Sequence, residues 1–221
     1  MLAAVVFDFD GIIVDSEPMH FRAFNEVLKP LGIEILWDDY CSTYIGFDDR
    51  DAFRTVLKNN KKKICTKDLK HLIEEKAAIF QKYVQKGEAT PLPGAVELIK
   101  SIPVRLPVAL CSGALREDII PVIEKLGIDH AFSAIVTAED TPKSKPDPAP
   151  YRLTLEKLGI DDPASVIAIE DTPAGIMSAK GAGLKVLAVT NSYDREYLME
   201  ADAVTDSLEH VSRPDLENMV M

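Results

Sequence analysis

The chain opens with a short apolar segment that predicts a buried strand. Residues 3–7 are apolar, with two valines in the middle, and the acids Asp8 and Asp10 follow with one residue between them, then Gly11. Short β-branched runs of this kind are typical of buried strands. Because side chains alternate along a strand, we expect Asp8 and Asp10 on the same face, at the carboxyl end of the strand.

The next seventy residues follow a helical pattern. Apolar residues recur every three or four positions over 17–31, around 50–57 and from 66 to about 87, with no convincing strand among them. Gly32 and Gly87 stand where two of these helices are expected to end. The pattern therefore predicts an all-helical segment inserted directly after the first strand.

From residue 90 onwards, strands and helices alternate. The strands are predicted at 107–111, 134–137, 165–169, 185–189 and 203–204. The intervening helices are predicted at 95–101, 117–126, 151–158 and 173–182, with a short closing helix in the tail. The second of these is expected to begin late, near Glu117, because Pro121 has no N–H and fits best in a first helical turn.

This alternation predicts an α/β fold: a doubly wound, mostly parallel, Rossmann-like sheet with an inserted α-helical cap domain. Residues 1–15 and 89–221 would form the α/β core, and residues 16–88 the cap. Because the insertion follows the first strand directly, we expect it over the carboxyl edge of the sheet, where Asp8 and Asp10 lie. Open α/β sheets bind their ligands at that edge.

Composition and charge narrow the choice of partners. The 221 residues are 47% hydrophobic and carry a formal net charge of −11. Such a field disfavours nucleic acid or an acidic membrane as the main partner, but it allows a small phosphorylated ligand at a local cation. No apolar run reaches the ~20 residues of a membrane span and no signal peptide is evident, so a cytoplasmic protein is expected. Three cysteines without a CxxC pair favour free thiols, and a monomer is the default expectation.

Residues that could bind a ligand or take part in a reaction follow several of the predicted strands. They are Asp8 and Asp10, Ser112 and Gly113, Lys145 in a proline-rich loop, and Glu170 and Asp171. Carboxylates suit Mg²⁺, which shares its coordination shell with phosphate oxygens. A hydroxyl and a glycine amide before a helix suit an anion. Lysine supplies the positive charge that phosphoryl transfer requires.

Each of these residues also has a purely structural interpretation. The two N-terminal acids could form a turn, Ser112 and Asp171 could cap helices, and Lys145 could be a surface lysine. A single parallel sheet, however, would bring all of them to one edge. Their combination therefore favours a magnesium-dependent site for a phosphorylated ligand.

The arrangement resembles the haloacid dehalogenase superfamily, in its phosphatase and β-phosphoglucomutase-like branch with a helical cap after the first strand. Motif one is DFDGIIVD from Asp8, motif two is Ser112, motif three is Lys145 and motif four is Glu170-Asp171. The resemblance covers essentially the whole chain. The four motifs in this order, with the insertion in its place, are more specific than motif one alone.

The resemblance implies a role for each motif. Asp8 would be the nucleophile that forms an aspartyl-phosphate, and Asp10 the general acid and then the general base. Ser112 and Lys145 would bind the phosphoryl group. The Mg²⁺ ligands would be Asp8, the Asp10 backbone carbonyl, Asp171, and Glu170 directly or through water.

Substrate choice would rest on the cap. Candidate substrate-binding residues there are Glu17, His20, Gly46, Asp49 and Arg50. His20 fits the mutase pattern, although it could equally be a surface or capping histidine. Two departures weaken that pattern: Ile45 replaces the lysine that mutases carry before the loop glycine, and residues 114–116 replace a Ser-Lys pair.

These departures favour hydrolysis of a small phosphate monoester, such as a sugar phosphate, over the alternative of a β-phosphoglucomutase that isomerises a sugar phosphate. A non-catalytic protein that binds a phosphorylated ligand is a remote alternative, because none of the acids or Lys145 is lost. The identity of the substrate is left open.

Overall fold

The computed structural model describes residues 1–45, 47 and 49–221, so the predicted cap residue Gly46 lies outside the described residues. The described chain forms two compact units. One consists of Met1–Asp15 with Thr90–Met221, and the other of Ser16–Ala89. Within the described part of the chain, no helix is both long and apolar enough to cross a membrane.

The strands of the described residues all belong to the first unit. They are β1 (Ala4–Phe7), β2 (Val14–Asp15), β3 (Thr90–Pro91), β4 (Val108–Cys111), β5 (Phe132–Val136), β6 (Val166–Glu170), β7 (Lys185–Val189) and β8 (Ala203–Thr205). The helices are α1 (Glu17–Leu28), α2 (Trp37–Thr43), α3 (Asp49–Asn59), α4 (Thr66–Lys86), α5 (Ala95–Ser101), α6 (Arg116–Lys125), α7 (Ala149–Leu158), α8 (Pro173–Gly181) and α9 (Arg213–Asn218).

Six strands form one parallel sheet in the order β5-β4-β1-β6-β7-β8. The chain moves outward from β1 through β4 to β5, then returns to β6 on the other side of β1 and moves outward again. The direction of winding therefore reverses between β1 and β6, which is where open α/β sheets place their ligands. The predicted doubly wound α/β fold is confirmed.

Both faces of this sheet are buried. Alternate residues of β1 show it: Ala4 and Val6 lie in a core cluster with residues of α7 and α8, while Val5 and Phe7 face the opposite side and are equally inaccessible. A strand covered on both faces is apolar throughout instead of alternating. This explains why residues 3–7 form a continuous apolar run.

A second, two-stranded sheet joins the two places where the chain leaves and re-enters the α/β unit. β2 and β3 pair antiparallel, with Val14 opposite Pro91 and Asp15 opposite Thr90. The sequence did not predict this pairing, because two-residue strands are too short to show any periodicity.

The described residues of the Ser16–Ala89 unit form helices and connecting loops without a strand, as their periodicity indicates. Its buried side chains include Phe24, Phe53 and Phe80, one from each of α1, α3 and α4. The first predicted helix ends earlier than expected. α1 stops at Leu28, and a 3₁₀ turn over Lys29–Leu31 continues to Gly32, which adopts φ 69°.

Helix α6 places Pro121 differently from the sequence prediction. The helix begins at Arg116, so Pro121 lies in its second turn instead of its first. There, the missing N–H forgoes a hydrogen bond to the carbonyl of Glu117. The neighbouring residues Ile119, Val122 and Ile123 are buried, so packing of the apolar face outweighs this local penalty.

We therefore expect Pro121→Ala to stabilise the protein. Pro121 is exposed, so no packing is lost, and alanine restores an N–H inside the helix. The free energy of unfolding, measured by urea denaturation followed by circular dichroism, should rise by about 1–3 kcal/mol. The control Glu124→Ala, at an exposed position of the same helix, should stay within about 0.5 kcal/mol of the parent. A loss of stability in Pro121→Ala would contradict this account of α6.

Candidate active site

The topology places the acids of motifs one and four side by side. β1 and β6 are neighbours in register, with Phe7 opposite Ile169, and the Asp8 amide donates to the Ile169 carbonyl at 3.0 Å. Asp8 follows β1, Glu170 is the last residue of β6, and Asp171 follows it. The site therefore lies at the carboxyl ends of the two strands between which the winding reverses.

Asp8, Glu170 and Asp171 form a compact acidic cluster. All three are buried, and one carboxylate oxygen from each lies within 4.8 Å of the others. Such a group can hold a metal ion, because buried carboxylates need a cation to offset the loss of hydration.

Lys145 lies against this cluster. Its Nζ is 2.9 Å from Asp8 Oδ2 and 2.7 Å from Glu170 Oε1. Burial alone would lower the pKa of Lys145, but Asp8 and Glu170 outweigh it and raise the pKa above its ordinary value. The lysine therefore stays charged. Tyr151, completely buried, donates from its hydroxyl to the same Glu170 oxygen at 2.6 Å and helps to fix it.

One lysine does not balance three carboxylates. Burial and the charge of Glu170 raise the pKa of Asp8 to about 8, although Lys145 acts in the opposite direction. Without a further cation, Asp8 is therefore largely protonated at neutral pH. The excess of oxygen donors and negative charge fits a hard divalent cation, which would favour the ionised carboxylate.

Two glycines allow the carboxylates to approach the backbone closely. A Cβ at Gly175 would lie 1.9 Å from Glu170 Oε2, and one at Gly11 would lie 1.8 Å from Asp171 Oδ2. No larger residue fits either position without moving a carboxylate. Helix α8, which follows the cluster, is capped by Thr172, whose hydroxyl accepts from the Gly175 amide at 3.0 Å. Asp171 is therefore not the helix cap that its position would also allow.

The residues predicted to bind phosphate line one small cleft. Ser112, Gly113 and Lys145 all contribute to it, together with Thr137. Ser112 is buried, and its Oγ accepts from the Ala114 amide at 2.9 Å, so it shapes the loop before α6 without capping that helix. A Cβ at Gly113 would meet nothing within 4 Å, so this side of the loop is open.

The N-terminus of α6 is less available to an anion than the sequence suggested. The Arg116 amide already donates to Glu139 Oε2 at 2.9 Å. The Arg116 side chain is held by Asp140, with Nη2 3.0 Å from Oδ2, and by the Ile135 carbonyl at 3.3 Å. The predicted anion site is thus concentrated on the loop of Ser112 and Gly113 and on Lys145.

Asp10 lies in the tight turn that connects β1 to β2. It is partly buried and forms a bridge with Val14. Its charge contributes to the raised pKa of Asp8, so the two acids of motif one influence each other electrostatically.

Sequence reasoning missed three residues of this site. Tyr151 was assigned only to a helix, while Asn191 and Ser192 follow β7. The Asn191 side chain donates to the Gly11 carbonyl at 2.7 Å, and the Ser192 hydroxyl hydrogen-bonds to Asp171. Their position after a parallel strand was the available signal, because the carboxyl ends of neighbouring strands lie at the same edge.

Three of the predicted cap residues, Glu17, His20 and Asp49, make polar contacts within the helical unit. Glu17 accepts from the Tyr40 hydroxyl at 2.7 Å. His20 and Asp49 meet at Lys76, whose Nζ lies 2.8 Å from His20 Nδ1 and is ion-paired with Asp49.

Three observations bear on the predictions for this unit. Lys76 is buried and was not predicted, although it stands on the apolar stripe of α4 and could have been found there. His20 also stacks on Phe80 with ring centroids 4.2 Å apart, so it is not a loose surface histidine. Arg50 is exposed.

A comparison with known protein families shows which family the chain belongs to. Residues 5–189 match the model of the haloacid dehalogenase-like hydrolases, which is most of the chain. The chain therefore belongs to the haloacid dehalogenase-like hydrolase family, and the family predicted from the four motifs is confirmed.

Individual relatives are similar over nearly their whole length. A phosphorylated carbohydrates phosphatase of Thermotoga maritima is 29% identical over 209 residues, covering 92% of this chain and 93% of the relative. The crystal structure of CbbY from Rhodobacter sphaeroides, in complex with phosphate, is 25% identical with a TM-score of 0.88, covering 98% and 100% of the two chains. A β-phosphoglucomutase from Clostridium difficile shares the fold, with 24% identity, a TM-score of 0.89 and coverage of 100% and 97%. The Thermotoga relative supports the prediction of a phosphatase, whereas the similarity to the β-phosphoglucomutase concerns the fold alone.

The raised pKa of Asp8 leads to a pH-dependent stability in the absence of metal. Between pH ~4 and ~8 the unfolded chain has lost this proton while the folded protein retains it, so rising pH removes stability, by at most about 1.4 kcal/mol per pH unit. Asp8→Asn is neutral at every pH and lacks this contribution. In EDTA at pH 8 we expect Asp8→Asn to be more stable than the parent, with a smaller difference at pH 6, by urea denaturation.

Asp202→Asn is the matched control. Burial would raise the pKa of Asp202, but hydrogen bonds from Lys180 and from the Val186 amide lower it. The Asp202 carboxyl group is ionised above pH 6 in both the folded and the unfolded protein. Asp202→Asn should therefore lose a constant amount of stability from pH 6 to pH 8. Parallel pH profiles for the parent and Asp8→Asn would contradict the raised pKa.

Proposed function

We propose that this protein is a Mg²⁺-dependent phosphatase that hydrolyses a small phosphate monoester, such as a sugar phosphate, through an aspartyl-phosphate on Asp8. The observation that carries the proposal is Lys145, buried between Asp8 and Glu170 at 2.9 and 2.7 Å, beside a cluster of three buried carboxylates. This combination provides a nucleophile, a cation for a phosphoryl group and donors for a divalent metal. The names of similar phosphatases support it.

In the first step, an Asp8 carboxylate oxygen attacks the phosphorus, and the bond from phosphorus to the ester oxygen breaks. Asp10 gives its proton to the departing oxygen, which is the role of a general acid. Lys145, together with Ser112 and Gly113 in the shared cleft, holds the phosphoryl oxygens.

In the second step, water attacks the phosphorus and the bond to Asp8 breaks. Asp10, now ionised, accepts the proton from that water. Phosphate is released and Asp8 returns as a carboxylate. The same two acids thus serve both half-reactions, with Asp8 making the covalent bond and Asp10 moving the proton.

The metal site would be formed by the carboxylates of Asp8, Glu170 and Asp171 with the backbone carbonyl of Asp10. When bound, Mg²⁺ would neutralise the charge that accumulates on the phosphoryl group and keep Asp8 ionised. The second effect matters here because the pKa of Asp8 is raised to about 8 without metal.

A phosphoglucomutase is the alternative, and His20 is the residue that favours it. The structure ties His20 to Lys76 and Phe80, so a structural role accounts for it as well. Arg116, the cation nearest to motif two in sequence, is engaged by Asp140 and is not directed to a second phosphate. Hydrolysis therefore has the stronger support.

We expect Asp8→Asn to abolish Mg²⁺-dependent release of phosphate from sugar phosphates. The amide removes the nucleophilic oxygen while it preserves the shape of the side chain. Phosphate release is measured colorimetrically, with and without EDTA. Asp202→Asn, which changes a carboxylate far along the chain from the four motifs, should retain the activity of the parent. Normal turnover in Asp8→Asn would refute the assignment.

A substrate panel distinguishes hydrolysis from isomerisation. With Mg²⁺ and β-glucose 1-phosphate, hexose 6-phosphates and smaller phosphate esters, the protein should release free phosphate from at least one monoester. Both phosphate and isomerised sugar phosphate are quantified by ³¹P NMR. Conversion of β-glucose 1-phosphate to glucose 6-phosphate without phosphate release would establish the mutase instead. Inactivity on every ester would favour a ligand-binding protein.

A further inference from the structure

The loop after β7 reaches across the end of β6 to the turn that follows β1. In the sheet, β6 lies between β1 and β7, so β1 and β7 are about 10 Å apart. Asn191 nevertheless donates from Nδ2 to the Gly11 carbonyl at 2.7 Å. The next residue, Ser192, hydrogen-bonds to Asp171 at the end of β6. Two consecutive side chains thus fasten the loop to the end of β6 and to the turn after β1.

The hydrogen bond from Asn191 is made to a residue whose backbone conformation is tightly restricted. Gly11 directly follows Asp10, has φ 73°, and donates from its amide to the Val14 carbonyl at 2.9 Å. Its missing side chain would lie 1.8 Å from Asp171 Oδ2 and 2.9 Å from Ser192 Oγ. The hydrogen bond from the Gly11 amide to Val14 and the close approach of Asp171 and Ser192 restrict where Gly11 can lie. The Asn191 bond then fixes the orientation of the peptide group that follows it.

We propose that Asn191 is a positioning residue for proton transfer: by holding the Gly11 carbonyl, it fixes the backbone that aims the Asp10 carboxyl at the leaving-group oxygen. This inference rests on the proposed function, in which Asp10 is the general acid. Asn191 itself is exposed, and its side chain donates to Gly11 and not to Asp8. Its effect would therefore pass through the turn.

The proposal predicts a loss that depends on the leaving group. An alkyl phosphate releases a strongly basic alkoxide and needs a well-aimed acid, whereas p-nitrophenyl phosphate releases a stable phenolate and needs little assistance. The parameter kcat/KM includes the steps up to departure of the leaving group and excludes the later attack of water. It therefore isolates the acid role of Asp10 from its role as a base.

The experiment compares kcat/KM for an alkyl phosphate, taken from the panel above, with that for p-nitrophenyl phosphate. In Asn191→Ala, the ratio of the alkyl to the aryl value should fall about 10-fold or more, a part of the 10²–10⁴-fold that general acids contribute. Asn191→Asp has nearly the same shape but no side-chain N–H for the Gly11 carbonyl. The ratio of the alkyl to the aryl value should fall in this variant as well. Such a fall would show that the effect comes from the hydrogen bond and not from the packing of the side chain.

Asn60→Ala is the matched control. Asn60 is also exposed and donates from Nδ2 to a backbone carbonyl, that of Val56, at 2.9 Å, but within the helical unit. It should leave the alkyl-to-aryl ratio unchanged. Thermal denaturation of each variant confirms that it is folded.

The outcomes separate this inference from the proposed function. If the parent hydrolyses neither ester, the proposed function fails. If the parent hydrolyses both and Asn191→Ala lowers the two kcat/KM values by the same factor, the positioning role is refuted while the phosphatase stands. An unchanged ratio in Asn191→Asp would likewise refute it, because it would show that the N–H to Gly11 is not required.

Discussion

The buried contact of Lys145 with Asp8 and Glu170 is the interaction on which the site depends. Burying charge is costly unless opposite charges meet at short range, and one lysine against three carboxylates satisfies that condition only in part. The remaining imbalance appears as the raised pKa of Asp8. The protein therefore favours the protonated form of Asp8, the proposed nucleophile, and a divalent cation would favour the ionised form instead. In the proposed function, affinity for metal and activation of Asp8 would both follow from this excess of buried negative charge.

The parallel sheet explains how residues so far apart in sequence come to share this environment. The reversal of winding between β1 and β6 leaves the ends of these strands uncovered by their own connections. The backbone then allows the acids to pack closely, because Gly11 and Gly175 have no side chain and the carboxylates of motif four lie directly against the main chain there. The α/β unit thus builds the acid cluster and Lys145 from its own elements.

The sequence predicted the acids, the lysine and the parallel sheet, because strand ends in such a sheet collect at one edge whatever the exact register. The contacts of Asn191 and Tyr151 could not be predicted in the same way. Each requires a particular side-chain conformation across elements that are remote in sequence, and one hydrogen bond leaves no periodic trace. Lys76 is intermediate: its place on the apolar stripe of α4 was visible, but its partners His20 and Asp49 were not. Pro121 shows the converse, since packing of α6 overrides a local preference.

The ion pairs made by Arg116 and Lys76 also bear on whether the protein binds one phosphate group or two. An isomerisation that passes a phosphoryl group through the enzyme needs a second phosphate to be held while the first is exchanged. Arg116 is bound by Asp140, and Lys76 is bound by Asp49, so each carries a carboxylate within its own unit. An anion that recruited either would first have to displace that carboxylate. Lys145 differs, because its carboxylate partners are themselves proposed to take part in the reaction and in metal binding. Neither of these two cations can therefore bind a second phosphate without that cost, which supports the proposed hydrolysis of a monoester over exchange between two phosphates.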